Sequence, residues 1–443
     1  MTGTGPAPAD APPPQDAGAS DAGRPSWEVA DAPARRVVRD FLRRVGVVAT
    51  YAASRLGRRD RSLWVFGNVR GYRDNPRYLA EYLLHHQGGV TACWIARTEF
   101  EAAAARSAGL EVAMRDSAEA SRIQRRAGVA FLSNGFQDVQ GKYLAGAYVV
   151  DLGHGKGLKR ILLDLPDPPN AGRSVGRHAL LRLHRWIVER RLARIGLIVA
   201  PGSWARDRYL TAYRASPERI RVLGTPRFDV LHGLPPHRHA GDLRADLGVG
   251  RSDYLVLWLP TWREAGDAGW LPALDASELD AALAGTSVTV LVKPHPYSDM
   301  DVYEERVPRH PRMRLLPEDE VDVNLLLGEA DALITDYSSV AFDYALLDRP
   351  IHFFAPDADT YREGGGLYEP FEWLTGGRHH HAWESLLTEL RASARGEDAQ
   401  ARAIARGIRD RTGLEDRPGS CERIAAAVCA TVGLTLPAPV PRA

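Results

Sequence analysis

Short apolar runs alternate with amphipathic stretches along most of the chain, first over residues 61–230 and again over 251–432. Leu63 to Phe66, Ala92 to Ile95, Leu110 to Met114, Val129 to Leu132 and Tyr148 to Leu152 read as strands buried on both faces. Between them, Pro76 to His86, Thr98 to Ala108 and Ser117 to Ala127 have helical spacing, and Thr98 with Glu101 has that of a capping box. A strand at Leu197 to Ala200, a Ser-capped helix from Ser203 to Arg214 and a strand at Ile220 to Leu223 complete the first series. The Pro-, Gly- and His-rich run from Leu231 predicts a linker over 231–250. Strands then follow at Tyr254 to Leu259, Val288 to Val292, Ala332 to Ile334 and Ile351 to Phe354, with helices at Val323 to Leu327, Ala382 to Gly407 and Ser420 to Val432. Such alternation predicts an α/β protein of two units, each a parallel sheet with helices on both faces.

The 443 residues exceed what a single core accommodates, which agrees with two units. Residues 1–34 are rich in Pro, Ala, Gly and Asp and read as a disordered tail, and 433–443 as a second tail. A formal net charge of +1 gives no general reason to expect nucleic-acid binding, but it hides local contrast. Over 35–60 arginines alternate with Val37, Val38, Phe41, Leu42 and Tyr51, and over 173–194 with Leu180, Leu183, Trp186 and Ile187. Both are basic amphipathic segments that suit an anionic membrane surface, and both equally fit helices packed on the first unit with a solvated face. No stretch reaches a membrane span and no signal-type leader is read, so the expected location is the cytosol or the cytoplasmic face of the membrane, held peripherally. The odd number of cysteines, Cys93, Cys421 and Cys429, fits a reducing compartment.

Chemistry concentrates where strands end. Gly153-His-Gly-Lys-Gly-Leu-Lys-Arg160 joins three glycines, which allow close backbone approach, to positive charge and an imidazole. Gly224-Thr-Pro-Arg-Phe-Asp229, Pro260-Thr-Trp-Arg263 and Lys293-Pro-His-Pro296 each follow a predicted strand. Asp331 to Pro350 runs from a buried strand through Asp336, Tyr337 and Ser338 into a helix with Ser339 as N-cap. A serine-led helix start is a ready anion site, although the same serines can simply cap.

Together these segments resemble the CDP-glycerol glycerophosphotransferase family, the teichoic-acid polymerases and primases. The matching residues are His154 to Lys159, Gly224 to Asp229, Pro260 to Arg263, Lys293 to Pro296, Thr335 to Ala345 and Arg349 to Phe354, within roughly residues 60 to 375. The resemblance implies a GT-B-like fold, two Rossmann-type domains facing across a cleft. It also implies transfer of a polyol phosphate from CDP-glycerol or CDP-ribitol to a hydroxyl of a lipid-linked glycan or polyol-phosphate acceptor, with release of CMP. Carried over by residue, His154 is the family's catalytic base and His295 its second histidine, while Ser338 and Ser339 lie near the diphosphate. Lys156, Lys159, Arg227, Thr261, Arg263, Lys293, Thr335, Asp336 and Tyr337 complete the expected substrate contacts. Gly153 stands where the family usually has Trp, and Lys156-Gly157 replaces a common Thr-Pro. No dedicated metal site or cofactor is expected, and Mg²⁺ carried on the donor diphosphate is compatible with this reading. The rivals are a UDP-sugar-dependent GT-B glycosyltransferase or epimerase and a catalytically silent membrane-bound adaptor.

Overall fold

The structure is a computed structural model that describes residues 46–84, 89–155, 158–167, 175–234, 242–263, 266–317, 321–361 and 366–436. The tail over 1–34, the first part of the basic segment over 35–60, Lys156 and residues 235–241 of the expected linker lie outside the described residues.

After a helix α1 (46–54), the first half runs β1 (Asp60–Phe66), α2 (Asp74–Leu83), β2 (Thr91–Ala96), α3 (Glu99–Ser107), β3 (Glu111–Met114), α4 (Ala118–Arg126), β4 (Ala127–Leu132), β5 (Tyr148–Asp151), α5 (Val175–Leu192), β6 (Ile195–Ala200), α6 (Ser203–Ala212), β7 (Ile220–Val222) and α7 (Pro226–Leu231). The second half runs α8 (Leu243–Asp246), β8 (Tyr254–Leu259), α9 (Ala276–Leu283), β9 (Val288–Val292), α10 (Met300–Arg306), β10 (Met313–Leu315), α11 (Val323–Glu329), β11 (Ala332–Thr335), α12 (Val340–Ala345), β12 (Ile351–Phe353), α13 (Phe371–Thr375), α14 (Trp383–Ala394), α15 (Ala399–Thr412) and α16 (Ser420–Val432).

Two sheets result, ordered β3-β2-β1-β4-β5-β6-β7 and β10-β9-β8-β11-β12, and every strand pair is parallel. The reason is legible in the strands: β4 (AGVAFL) is buried at all six positions, so it needs cover on both faces. Two apolar clusters flank each sheet. Chain order reverses between β1 and β4 and between β8 and β11. The crevice at the carboxyl ends of such strands is where an open α/β sheet binds ligands.

Three local expectations change. The helix expected over 382–407 is two helices, because Gly396 turns the chain at φ +82° and frees α15 to pack on α12 and β12. Gly202, not Ser203, is the N-cap of α6. Only half of the expected box on α3 forms, since Glu101 bonds Trp94 Nε1 and Arg97 N, both at 2.7 Å, while Thr98 accepts from Glu101 N.

The halves are interlocked rather than strung on a linker. α16, expected within the second unit, buries Cys421, Ile424 and Val428 against the core of the first sheet. The Asp229 carboxylate fixes it there by accepting from the N–H groups of Gly419, Ser420 and Cys421 at 2.7–2.9 Å. In return Leu158, Phe228 and Leu231 enter the core beneath the second sheet. Arg77 and Tyr78 on α2 reach Asp322 at 3.2 and 2.6 Å.

Candidate active site

The loops at the ends of β1, β4 and β5 form one hydrogen-bonded unit. The buried Asp138 carboxylate accepts from Val69, Ser133 and Asn134 N–H groups at 2.6–2.9 Å. The Gly153 carbonyl accepts from Ser133 Oγ at 2.6 Å and Asn75 Nδ2 at 2.8 Å. The backbone that carries His154 is therefore fixed by its neighbours before any ligand arrives. His154 itself is exposed. Its Nδ1 lies 2.8 Å from the Ser133 carbonyl oxygen. A carbonyl only accepts, so Nδ1 carries a proton and the neutral ring keeps its lone pair on Nε2.

His295, half-buried beyond β9, has the opposite arrangement. Tyr297 N–H donates to its Nδ1 at 3.2 Å, which leaves the proton of the neutral ring on Nε2. Tyr297 also packs on Trp262, which follows β8, with ring centroids 5.9 Å apart. Lys293 donates to the Pro317 carbonyl at 2.8 Å.

The His154 loop meets the second half directly. Gly155 has φ +92°, and a methyl group there would stand 2.8 Å from Ser339 Oγ and 3.3 Å from each terminal nitrogen of Arg227. These residues line a pocket of about 20 Å³ with Gly202, Trp204, Phe342 and Asp343, room for roughly one water. Arg227 is held in the first turn of α7, whose Pro226 suits the helix start. Its guanidinium lies 3.0 Å from Asp343 and 3.9 Å from Asp74, which bends at φ +61° and buries an Oδ1 that has no hydrogen-bond partner. Arg227 is held above its ordinary range, because Asp343 and Asp74 outweigh the effect of burial.

Burial pushes the Asp343 carboxyl up to about 6, against the pull of Arg227. Because the folded value exceeds the unfolded one, folding binds a proton between pH 4 and 6, and the stability this group contributes falls as pH rises through that window. Asp343→Asn is expected to remove a step on the order of 3 kcal/mol from the pH dependence of urea unfolding between pH 4 and 7. An unchanged profile would show that Asp343 stays ionised throughout.

Four of the expected substrate contacts, Thr261, Arg263, Asp336 and Tyr337, are engaged with one another, and a fifth, Thr335, with a backbone carbonyl. Asp336, 1% exposed, accepts from Thr261 N and Oγ1 at 2.9 and 2.5 Å and pairs with Arg263 at 3.0 Å. Arg263 also pairs with Asp357 at 2.8 Å, and Tyr337 donates to Asp357 at 3.2 Å while stacking on Tyr361. Thr335 donates to the Leu259 carbonyl at 2.8 Å. The physical reason is burial: ionised groups this deep must be paired, so they tie the ends of β8 and β11 together. Lys159 sits above the Tyr361 ring at 5.7 Å. Ser338 Oγ accepts from Val340 N at 3.3 Å, while Ser339 holds the N-cap position of α12 without a side-chain cap bond. The sequence reading missed Asp74, Asp343 and Asp357. Asp343 lies in the recognised Phe-Asp-Tyr run, but nothing local indicates that it turns to Arg227.

The family profile of CDP-glycerol:poly(glycerophosphate) glycerophosphotransferase matches residues 49–429. The teichoic acid poly(glycerol phosphate) polymerase of Staphylococcus epidermidis is 26% identical over 305 residues, covering 67% of this chain and 40% of the relative. The teichoic acid ribitol-phosphate primase of Bacillus spizizenii is 29% identical over 203 residues, covering 44% and 49%. The chain thus spans about half, or less, of the length of these curated relatives. Among solved structures, the wall teichoic acid polymerase TagF superposes with a TM-score of 0.67 at 21% identity, covering 93% of this chain and 99% of that one. A TagF variant soaked with CDPG gives a TM-score of 0.66 at 21% identity, with the same coverage. With its two parallel sheets and the histidine loop closing on Ser339 and Arg227, the chain belongs to the CDP-glycerol:poly(glycerophosphate) glycerophosphotransferase family.

Proposed function

We propose that this protein moves glycerol phosphate from CDP-glycerol to a hydroxyl of a lipid-linked or polymeric acceptor and releases CMP. In this reading His154 Nε2 takes the proton of the acceptor hydroxyl as its oxygen bonds to phosphorus, and the bond from that phosphorus to the CMP oxygen breaks. His295 contributes an Nε2–H that suits a phosphate oxygen, and Ser339 with Arg227 offers donors to the charge developing there. The carrying observation is the fixed tautomer of His154, on a loop that reaches Ser339 and Arg227. The donor soaked into the TagF variant supports the choice of a CDP-polyol.

The test is product analysis with CDP-glycerol, CDP-ribitol and a UDP-sugar offered side by side to a lipid-linked acceptor, with and without EDTA. The last comparison scores separately any Mg²⁺ brought in on the diphosphate. CMP release with incorporated glycerol phosphate is expected. Turnover of the UDP-sugar alone would overturn the reading.

The same reading includes peripheral attachment to the cytoplasmic face of an anionic membrane. Among the described residues no helix is long and apolar enough to cross a membrane. On α5, Leu180, Leu183, Trp186 and Ile187 are 45–68% exposed among arginines, and Arg194 lies 4.0 Å from the Tyr51 ring of α1, where Val48 is 68% exposed. Apolar side chains left in water beside guanidinium groups fit a headgroup interface. Co-sedimentation with phosphatidylglycerol vesicles is expected, lost at high salt and in Leu183→Glu/Trp186→Glu. Binding indifferent to anionic lipid and to salt would count against it.

A further inference from the structure

On the flank of the second sheet, three side chains converge that the transfer chemistry does not use. His352 is buried at the centre of β12, His380 lies on the segment that pairs with the end of that strand, and Glu389 projects from α14. We propose that His352, His380 and Glu389 form a structural zinc site, with water completing the coordination.

The spacing carries the argument. His352 Nδ1 and His380 Nε2 each stand 3.3 Å from the same oxygen, Glu389 Oε2, and the three ligand atoms lie within 4.8 Å of one another. A charge-assisted N–H···O bond closes to about 2.7–2.9 Å. Ligands at about 2.0–2.2 Å from a tetrahedral zinc ion stand roughly 3.3 Å apart, which is the separation found here for both nitrogen–carboxylate pairs.

The surrounding hydroxyls orient both rings. Ser385 Oγ donates to the Ala382 carbonyl at 3.0 Å, so at His380 Nδ1, also 3.0 Å away, it acts as acceptor. That leaves the lone pair of a neutral His380 on Nε2, facing a carboxylate oxygen. Ser393 Oγ stands 3.3 Å from His352 Nε2, the ring nitrogen turned away from the carboxylate. Ser385, Glu389 and Ser393 follow at intervals of four on α14, so one helix stripe presents a ligand with an orienting hydroxyl on either side. The backbone is equally fixed. His380 N donates to the Phe353 carbonyl at 2.7 Å and the His380 carbonyl accepts from Ala355 N at 2.9 Å. Zinc here would clip α14 and the histidine segment to the edge strand β12.

The full chain, stripped with EDTA and desalted, is titrated with Zn²⁺ and then with Co²⁺. The wild type is expected to retain about one zinc per chain by mass spectrometry of the metal. It should also gain several degrees in melting temperature and give the visible absorption of four-coordinate Co²⁺. Glu389→Gln and His380→Ala, which alter partly exposed side chains, should each lose the retained zinc and the melting shift. If a variant does not fold, the cobalt spectrum of the wild type decides. No retained zinc, an octahedral cobalt spectrum, or equal stoichiometry in both variants would overturn the proposal and leave a hydrogen-bonded histidine–glutamate cluster.

Discussion

His154→Asn is expected to lower turnover of CDP-glycerol by roughly 100- to 10,000-fold, the usual contribution of a positioned general base. Asparagine keeps an N–H that can reach the Ser133 carbonyl, so the loop retains the bond that now holds the ring at 2.8 Å. It lacks Nε2, the atom assigned to the acceptor proton. Because the side chain is exposed, the melting temperature should hold within a degree or so. Donor KM should change little while kcat collapses, and the acidic limb of the pH–rate profile should flatten. Turnover within threefold of wild type, in a folded variant, would remove His154 from the chemistry.

Arg263→Met is expected to act on folding rather than on substrate. Arg263 is 5% exposed, with the Trp270, Tyr337 and Tyr361 rings within 4.3–4.9 Å of its guanidinium carbon. Burial alone would lower its pKa, but Asp336 and Asp357 outweigh that and hold it well above the ordinary range. Removing it leaves two inward-facing carboxylates without their cation, a loss of about 3–5 kcal/mol. For a chain of 443 residues that is roughly a 3–5 °C fall in melting temperature. Adding Asp336→Asn should recover part of it, since one stranded charge is then gone. An arginine that served the donor would give the reverse pattern, a raised KM with normal stability.

These two residues show what local sequence can carry. His154 sits in a glycine-rich run after a strand, and flexible backbone beside an imidazole is itself a sign of chemistry. Arg263 lies in a strand-end run of the same appearance, Pro-Thr-Trp-Arg, yet its side chain turns inward. Nothing adjacent to it encodes that direction, because Asp336 and Asp357 arrive from other strand ends. The histidine run at His379 to His381 shows the same limit, since only pairing with β12 and the packing of α14 bring one of its members to His352 and Glu389.

By itself the sequence determined the alternation of elements, the parallel character of both sheets, the strand-end position of the chemical groups and the family. Each follows from periodicity or from residues close together in the chain, and such signals survive without knowledge of the fold. The tertiary structure alone decided which polar side chains line the pocket beside Gly155 and which are paired with one another beneath the strand ends. It also decided that α16 returns to the first sheet and that Arg227 is shared between Asp74 and Asp343. Those outcomes depend on partners distant in sequence, and burial makes any ionised group find its counter-charge wherever packing supplies one.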